Sequence, residues 1–219
     1  MPLNINGTTG ISGVDGSVSA PAVTGTDSNT GITFPSADVI KFSTAGVERM
    51  AITNSGVTGI TAGITMADQW RLSTNFTQGN NVREVIDQNW ERADTDSYGA
   101  IGSPMTESSG IFTFPETGKY LLLWNHSAYS SSAHRYVGVL ALLSTDTGGS
   151  YSTIGETYDS IFDAGNSAFG AGAMTIIVDV TNASTFKLKW NTSTSGTVEY
   201  DANSTQQRTG FSCIKLGDT

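Results

Sequence analysis

His126 and His134 are the only histidines of the 219-residue chain, and with the lone Cys213 they make up its whole stock of imidazole and thiol chemistry. Neither histidine sits in an H-E-x-x-H pair or beside a nucleophile elbow, so neither zinc hydrolysis nor a Ser-His-Asp relay finds its usual order here. Both read as strand or rim side chains, and three copies of either could gather on a three-fold axis. Oxygen ligands are better represented. Asp94 with Asp96, Asp159 with Asp163, and Glu199 with Asp201 lie in turn-rich sequence and could hold calcium across subunits, although none has EF-hand spacing; the other reading is solvated turn carboxylates. A glycosidase needs two carboxyls about 5 to 10 Å apart, a separation that spacing along the chain does not reveal. The glycine cluster from Gly165 to Gly172 lacks the lysine and the strand-to-helix setting of a phosphate loop. No catalytic residue is assigned, and the expectation is a protein that is not an enzyme and needs no cofactor. Tyr129, Tyr151, Tyr158 and Phe169 could stack on sugar rings while Asn and Ser neighbours bond hydroxyls; their commoner use is in a core or between subunits.

The elements that would position such groups follow from composition. Ser and Thr make up about a quarter of the chain, with 25 glycines and only 14% charged residues, which favours short strands and many turns over helices. A net charge of −9 without any Lys/Arg cluster excludes general affinity for nucleic acid, whose phosphates must be neutralised. The opening MPLNINGTTG has neither a basic segment nor an apolar run, and nowhere do 18 apolar residues follow one another. Synthesis in a cytoplasm, with no membrane insertion, is the expectation. A single cysteine permits no disulfide within the chain, so stability must come from packing, self-association or ions.

Residues 1–31 are dominated by Gly, Ser, Thr and Asp and read as an extended anchoring arm. Gly7, Gly10, Gly13 and Gly16 fall at every third position, the spacing of a three-stranded polyproline bundle, though without prolines the run is equally that of a glycine-rich arm. Residues 32–65 alternate apolar and polar positions and predict two or three hairpin strands, with Val39, Phe42, Val47, Met50 and Ile52 on the buried face of a stalk or shoulder. From residue 66 onward ten β-runs predict an antiparallel sandwich. One of them, VREVIDQNWERAD, carries helical spacing as well; a strand broken near Asp87 and Gln88 is preferred.

The stretch SSGIFTFPETGKYL, Ser108 to Leu121, resembles the complement C1q and tumour necrosis factor-like jelly rolls, in which G-x-F-x-x-P-x-x-G-x-Y joins two strands. Its residues here are Gly110, Phe112, Phe114, Pro115, Gly118 and Tyr120. Pro115 ends a ladder because it has no N–H, and Gly118 permits a turn. Gly210 and Phe211, in TGFSCIKL, are similar to the family's closing strand. The resemblance covers residues 66–219 as a head and implies an all-β antiparallel jelly roll forming a homotrimer. The runs ADQWRL and NWERAD are also similar to heads of structural proteins in phages of aquatic bacteria, and VIKFSTAGVERMAITNSGVTG resembles segments of their tail fibres. That likeness implies a virion surface protein held to coat, portal or tail proteins through its N-terminal arm. Three roles stay open: a receptor-binding fibre head recognising host-surface glycan, a capsid cement protein, and, more remotely, a free lectin.

Overall fold

The computed structural model describes residues 4–6, 10–12, 15–59, 63–79, 82–95, 98–162 and 165–219. Every regular element among them is a β-strand, and the chain divides into two compact units, residues 1–63 and 64–219.

The first unit opens with two short ribbons, β1 (Asn4–Asn6) with β2 (Gly10–Ser12), and β3 (Gly16–Ser17) with β4 (Ala20–Pro21). A five-stranded antiparallel meander follows: β5 (Val23–Thr24), β6 (Gly31–Ser36), β7 (Val39–Thr44), β8 (Val47–Thr53) and β9 (Gly56–Thr58). Ala45 and Gly46, between β7 and β8, both have positive φ, as a tight two-residue hairpin turn requires. Two expectations need correction. The boundary after residue 31 falls inside this sheet, because Thr24 pairs with Gly31; residues 23–31 are part of the meander. Gly7 and Gly13 of the glycine series lie outside the described residues, and Gly16 pairs with Pro21 in an antiparallel ribbon.

The second correction concerns burial. Of the side chains expected on the buried face, Val39, Phe42 and Met50 are half-buried, whereas Val47 and Ile52 are exposed. The register explains the failure. It sets Val23, Ile32, Phe42 and Met50 in one lateral row and Ile40, Ile52 and Val57 in another, so these side chains share a face, whereas Val39, next to Ile40 on the same strand, points to the other. Among the described residues of the unit, those buried are instead Thr33, Ser43 and Ala51. Alternation assigns side chains to faces but does not say which face is covered.

The second unit contains β10 (Ala67–Leu72), β11 (Phe76–Gln78), β12 (Arg83–Val85), β13 (Trp90–Arg92), β14 (Thr106–Ser108), β15 (Ile111–Thr113), β16 (Gly118–Ser130), β17 (His134–Ser144), β18 (Ser152–Ile161), β19 (Ala168–Val180), β20 (Lys187–Thr194), β21 (Val198–Tyr200) and β22 (Gly210–Gly217). The ambiguous VREVIDQNWERAD run is the broken strand preferred above, β12 and β13. One seven-stranded sheet runs β13, β10, β22, β16, β19, with β21 and β11 continuing from the far end of β16. The other, six-stranded, runs β14, β15, β20, β17, β18, with β12 also on β20.

One cluster of buried side chains lies between these sheets. Phe112 meets Phe211 edge-on at 4.8 Å and Trp90 at 5.0 Å, and Trp124 of one sheet stacks on Trp190 of the other at 4.4 Å. Such rings each remove a large area from water and gain further from edge-to-face geometry. Asp68 is buried among them without being orphaned: Arg92 Nε donates to it at 2.9 Å, as do Trp70 Nε1 and the Met105 amide.

Candidate functional site

The signature residues sit in turns, at strand starts and in the core. Gly110 has φ +77°, and a Cβ there would stand 2.3 Å from the Ile86 carbonyl oxygen, so glycine is required both for the turn between β14 and β15 and for the close approach. Phe112, Phe114, Tyr120 and Phe211 are fully buried or nearly so; Pro115 follows β15, and Gly118 and Gly210 begin β16 and β22.

His126 is enclosed between the sheets rather than set on an outer face. It is 3% exposed and takes a hydrogen bond on Nδ1 from Trp124 Nε1 at 3.1 Å. Burial pushes its imidazole down to about 4, with the nearby Asp159 carboxylate pulling the other way. His134 lies at the start of β17, its Nε2 2.9 Å from Ser130 Oγ. The two rings have separate partners and form no joint site.

The acids are occupied by the chain itself. Asp159 accepts the Ala171 and Ser160 amides at 2.9 and 2.8 Å, which holds its carboxyl below the usual range. Asp201 takes both oxygens to Arg208, Glu199 accepts from Asn75, and Asp94 stands 3.5 Å from Arg71. Asp96 and Asp163 lie outside the described residues. Among the described residues no three His, Cys, Asp or Glu side chains gather as a metal site.

The four candidate sugar-stacking aromatics are dispersed. Tyr129 and Phe169 are register partners on β16 and β19, with ring centroids 5.5 Å apart. Tyr158 stands on β18 against Tyr136, and Tyr151 lies under Lys189 Nζ at 3.9 Å.

Exposed apolar side chains gather on the outward face of the seven-stranded sheet. Its inward residues on β16 are Tyr120, Leu122, Trp124, His126 and Ala128, so Leu121, Leu123, Asn125, Ser127 and Tyr129 point outward. Register then builds a row across four strands, Ala67, Ile214, Leu121 and Ile177, and a second of Gln69, Ser212, Leu123 and Thr175. Ile177 is 64% exposed and Phe169 63%. From Leu121 to Tyr129 on β16 and from Phe169 to Ile177 on β19, no outward side chain is charged; the first ion pair met is Lys119 with Asp179, at the end of the patch. Sequence reasoning did not single out this face. Its signal was the triple leucine at 121–123, which breaks apolar-polar alternation and marks a strand covered on both sides.

No known family model matches the chain, and no curated protein sequence does. Solved structures do resemble it. Eiger TNF from S. frugiperda superposes with a TM-score of 0.55 at 13% identity, over 72% of this chain and 96% of that one. Murine APRIL at pH 5.0 gives 0.50 at 12% identity, over 69% and 99%. The fold is therefore an all-β antiparallel jelly roll of the tumour necrosis factor-like kind, as the Ser108–Leu121 signature implied.

Proposed function

We propose that the protein is a non-enzymatic surface component of a bacteriophage particle. Three chains associate through the uncharged outward patch of β16 and β19, and residues 1–63 attach the assembly to coat, portal or tail proteins. The observation that carries the self-association is the row Ala67, Ile214, Leu121, Ile177. An apolar row across four strands, continued by the charge-free outward side chains of β16 and β19, is what an interface core looks like before its partner arrives. The jelly-roll family that the chain resembles builds homotrimers, which makes a second and third copy the natural cover. The phage setting rests on the sequence likeness to phage heads and fibres. The open apolar face of the meander gives the first unit a surface to lay against a virion partner, and three tethers at once multiply a weak contact through effective concentration.

Light scattering on the full chain is expected to give three times the 23.0 kDa chain mass. Ile177→Glu would place a charge in each copy of the interface and should give monomers with unchanged circular dichroism. A monomeric parent protein would refute the association. On the particle, a chain lacking residues 1–63 should no longer join virions. Loss of adsorption when the whole protein is removed would identify a fibre head; loss of shell resistance to heat with adsorption intact would identify a cement protein.

A further inference from the structure

The opposite sheet carries a trough built across four strands. Tyr158 on β18 faces Gly138 on β17, Gly138 faces Ser193 on β20, and Ser193 faces Arg83 on β12. Register partners share a face, so a ring and a guanidinium stand at the two ends with two small residues between them. Gly138, itself buried, lets the Tyr158 ring lie across the sheet: a Cβ there would stand 2.3 Å from Tyr158 Cδ1 and 2.4 Å from the Thr157 carbonyl oxygen. Ser193, 5% exposed, forms the floor between that ring and Arg83. Tyr136 meets Tyr158 edge-on at 5.9 Å, and Val82 closes one side. The cleft lined by Val82, Arg83, Tyr136, Tyr158, Ser193 and Thr194 has a volume of about 440 Å³, within the usual range for small-ligand sites.

Charge is polarised along the trough. At the Tyr158 end its hydroxyl donates to Glu156 Oε2 at 3.4 Å. At the other end Arg83 is exposed. Arg71, Arg92 and Arg208 each hold a carboxylate, but Arg83 has no carboxylate partner among the described residues. In a chain of net charge −9, a guanidinium without a counter-ion at the mouth of a cleft is available for a ligand anion.

We propose that this trough binds carbohydrate and prefers sugars bearing a carboxylate. A pyranose presents a flat C–H face to Tyr158, hydroxyls to Ser193 and Glu156, and a carboxylate to the planar fork of Arg83, which can take both oxygens at once. One cation suits a single carboxylate; a nucleic acid or polyphosphate would need several, and the net charge repels it. All of these residues belong to one chain, so the site stands whether or not copies associate, and its failure would leave the self-association reading intact.

The test is titration calorimetry of the full chain with galacturonate, glucuronate and N-acetylneuraminate oligosaccharides, each beside a neutral trigalactoside. At least one acidic sugar should bind saturably and about tenfold more tightly than the neutral one. Arg83→Gln should erase that preference, and Tyr158→Ala should weaken acidic and neutral sugars alike, with light-scattering mass and melting temperature unchanged in both variants. No saturable binding by any of the acidic sugars, equal binding of the neutral one, or acidic binding indifferent to Arg83→Gln would each overturn the proposal.

Discussion

Residues 1–63 and 64–219 are both made of antiparallel strands, yet they bury opposite kinds of side chain. The second unit encloses Trp124, Trp190, Phe112 and Phe211 between two sheets and leaves its polar positions mostly outside. The first buries Thr33, Ser43 and Ala51 and leaves Val23, Phe34, Val47, Ile52 and Val57 in contact with solvent. Backbone pairing alone therefore does not make a core. A sheet gains its stability from apolar area removed from water, at about 25 cal/mol per Å², and a meander with its apolar face open has not yet collected that term. The difference assigns the two units different tasks: one holds its own shape, and the other keeps apolar surface available for a partner.

Phe211→Asp tests the self-sufficient side with the largest expected effect. Phe211 is fully buried and packs on Phe112, Trp190 and Trp90 at 4.8, 5.1 and 5.9 Å. Removing a buried ring costs about 3 to 5 kcal/mol, and the carboxylate adds the penalty of an unpaired charge. Since whole domains are stable by only about 5 to 15 kcal/mol, the variant should lose its near-ultraviolet circular dichroism at room temperature. A soluble variant with an unchanged melting curve would mean that the aromatic cluster does not carry the unit.

His126 offers a smaller, graded probe of the same core. Its imidazole is held at about 4 in the folded chain against 6.5 for a free histidine, because burial disfavours the charged form more than Asp159 favours it. The unfolded chain therefore binds the proton first. Stability is complete above about pH 6.5 and declines by up to about 1.4 kcal/mol per pH unit until the folded ring itself titrates near 4, on the order of 3 kcal/mol in all. Asp159, whose folded carboxyl lies below its ordinary value, contributes stability lost only at still lower pH, so it leaves this window largely clear. Urea midpoints of the parent protein should fall between pH 6.5 and 4.5, and His126→Gln, which can still accept from Trp124, should flatten that slope. Equal slopes would put water around the ring and weaken the case for a closed core.

The sequence made the two units unequally legible. Gly110, Pro115 and Gly118 could be read directly, because each acts on its own turn or ladder through constraints that reach a few residues at most. The outward face was half visible in the leucines at 121–123. The trough was not visible, since Arg83, Gly138, Tyr158 and Ser193 meet only through register between strands far apart in the chain. In the first unit, periodicity placed Phe42, Met50 and Ile52 on a common face correctly, yet burial depends on what lies above that face. Alternation holds no record of that.

Phe34→Asp should give the smallest effect on stability. Phe34 is 40% exposed and lines a cleft with Ile40 and Ile52 on the apolar side of the meander. Exposed substitutions usually move stability by no more than about 0.5 kcal/mol, so the melting temperature of the isolated protein should scarcely change. Incorporation into particles should fall instead, because the new charge would be buried without a counter-ion once a virion partner covers the face. Quantifying bound protein per particle for parent and variant measures this directly. Should Phe34→Asp lower the melting temperature as Phe211→Asp is expected to, the first unit would possess a core of its own, and the contrast between the two units would be lost.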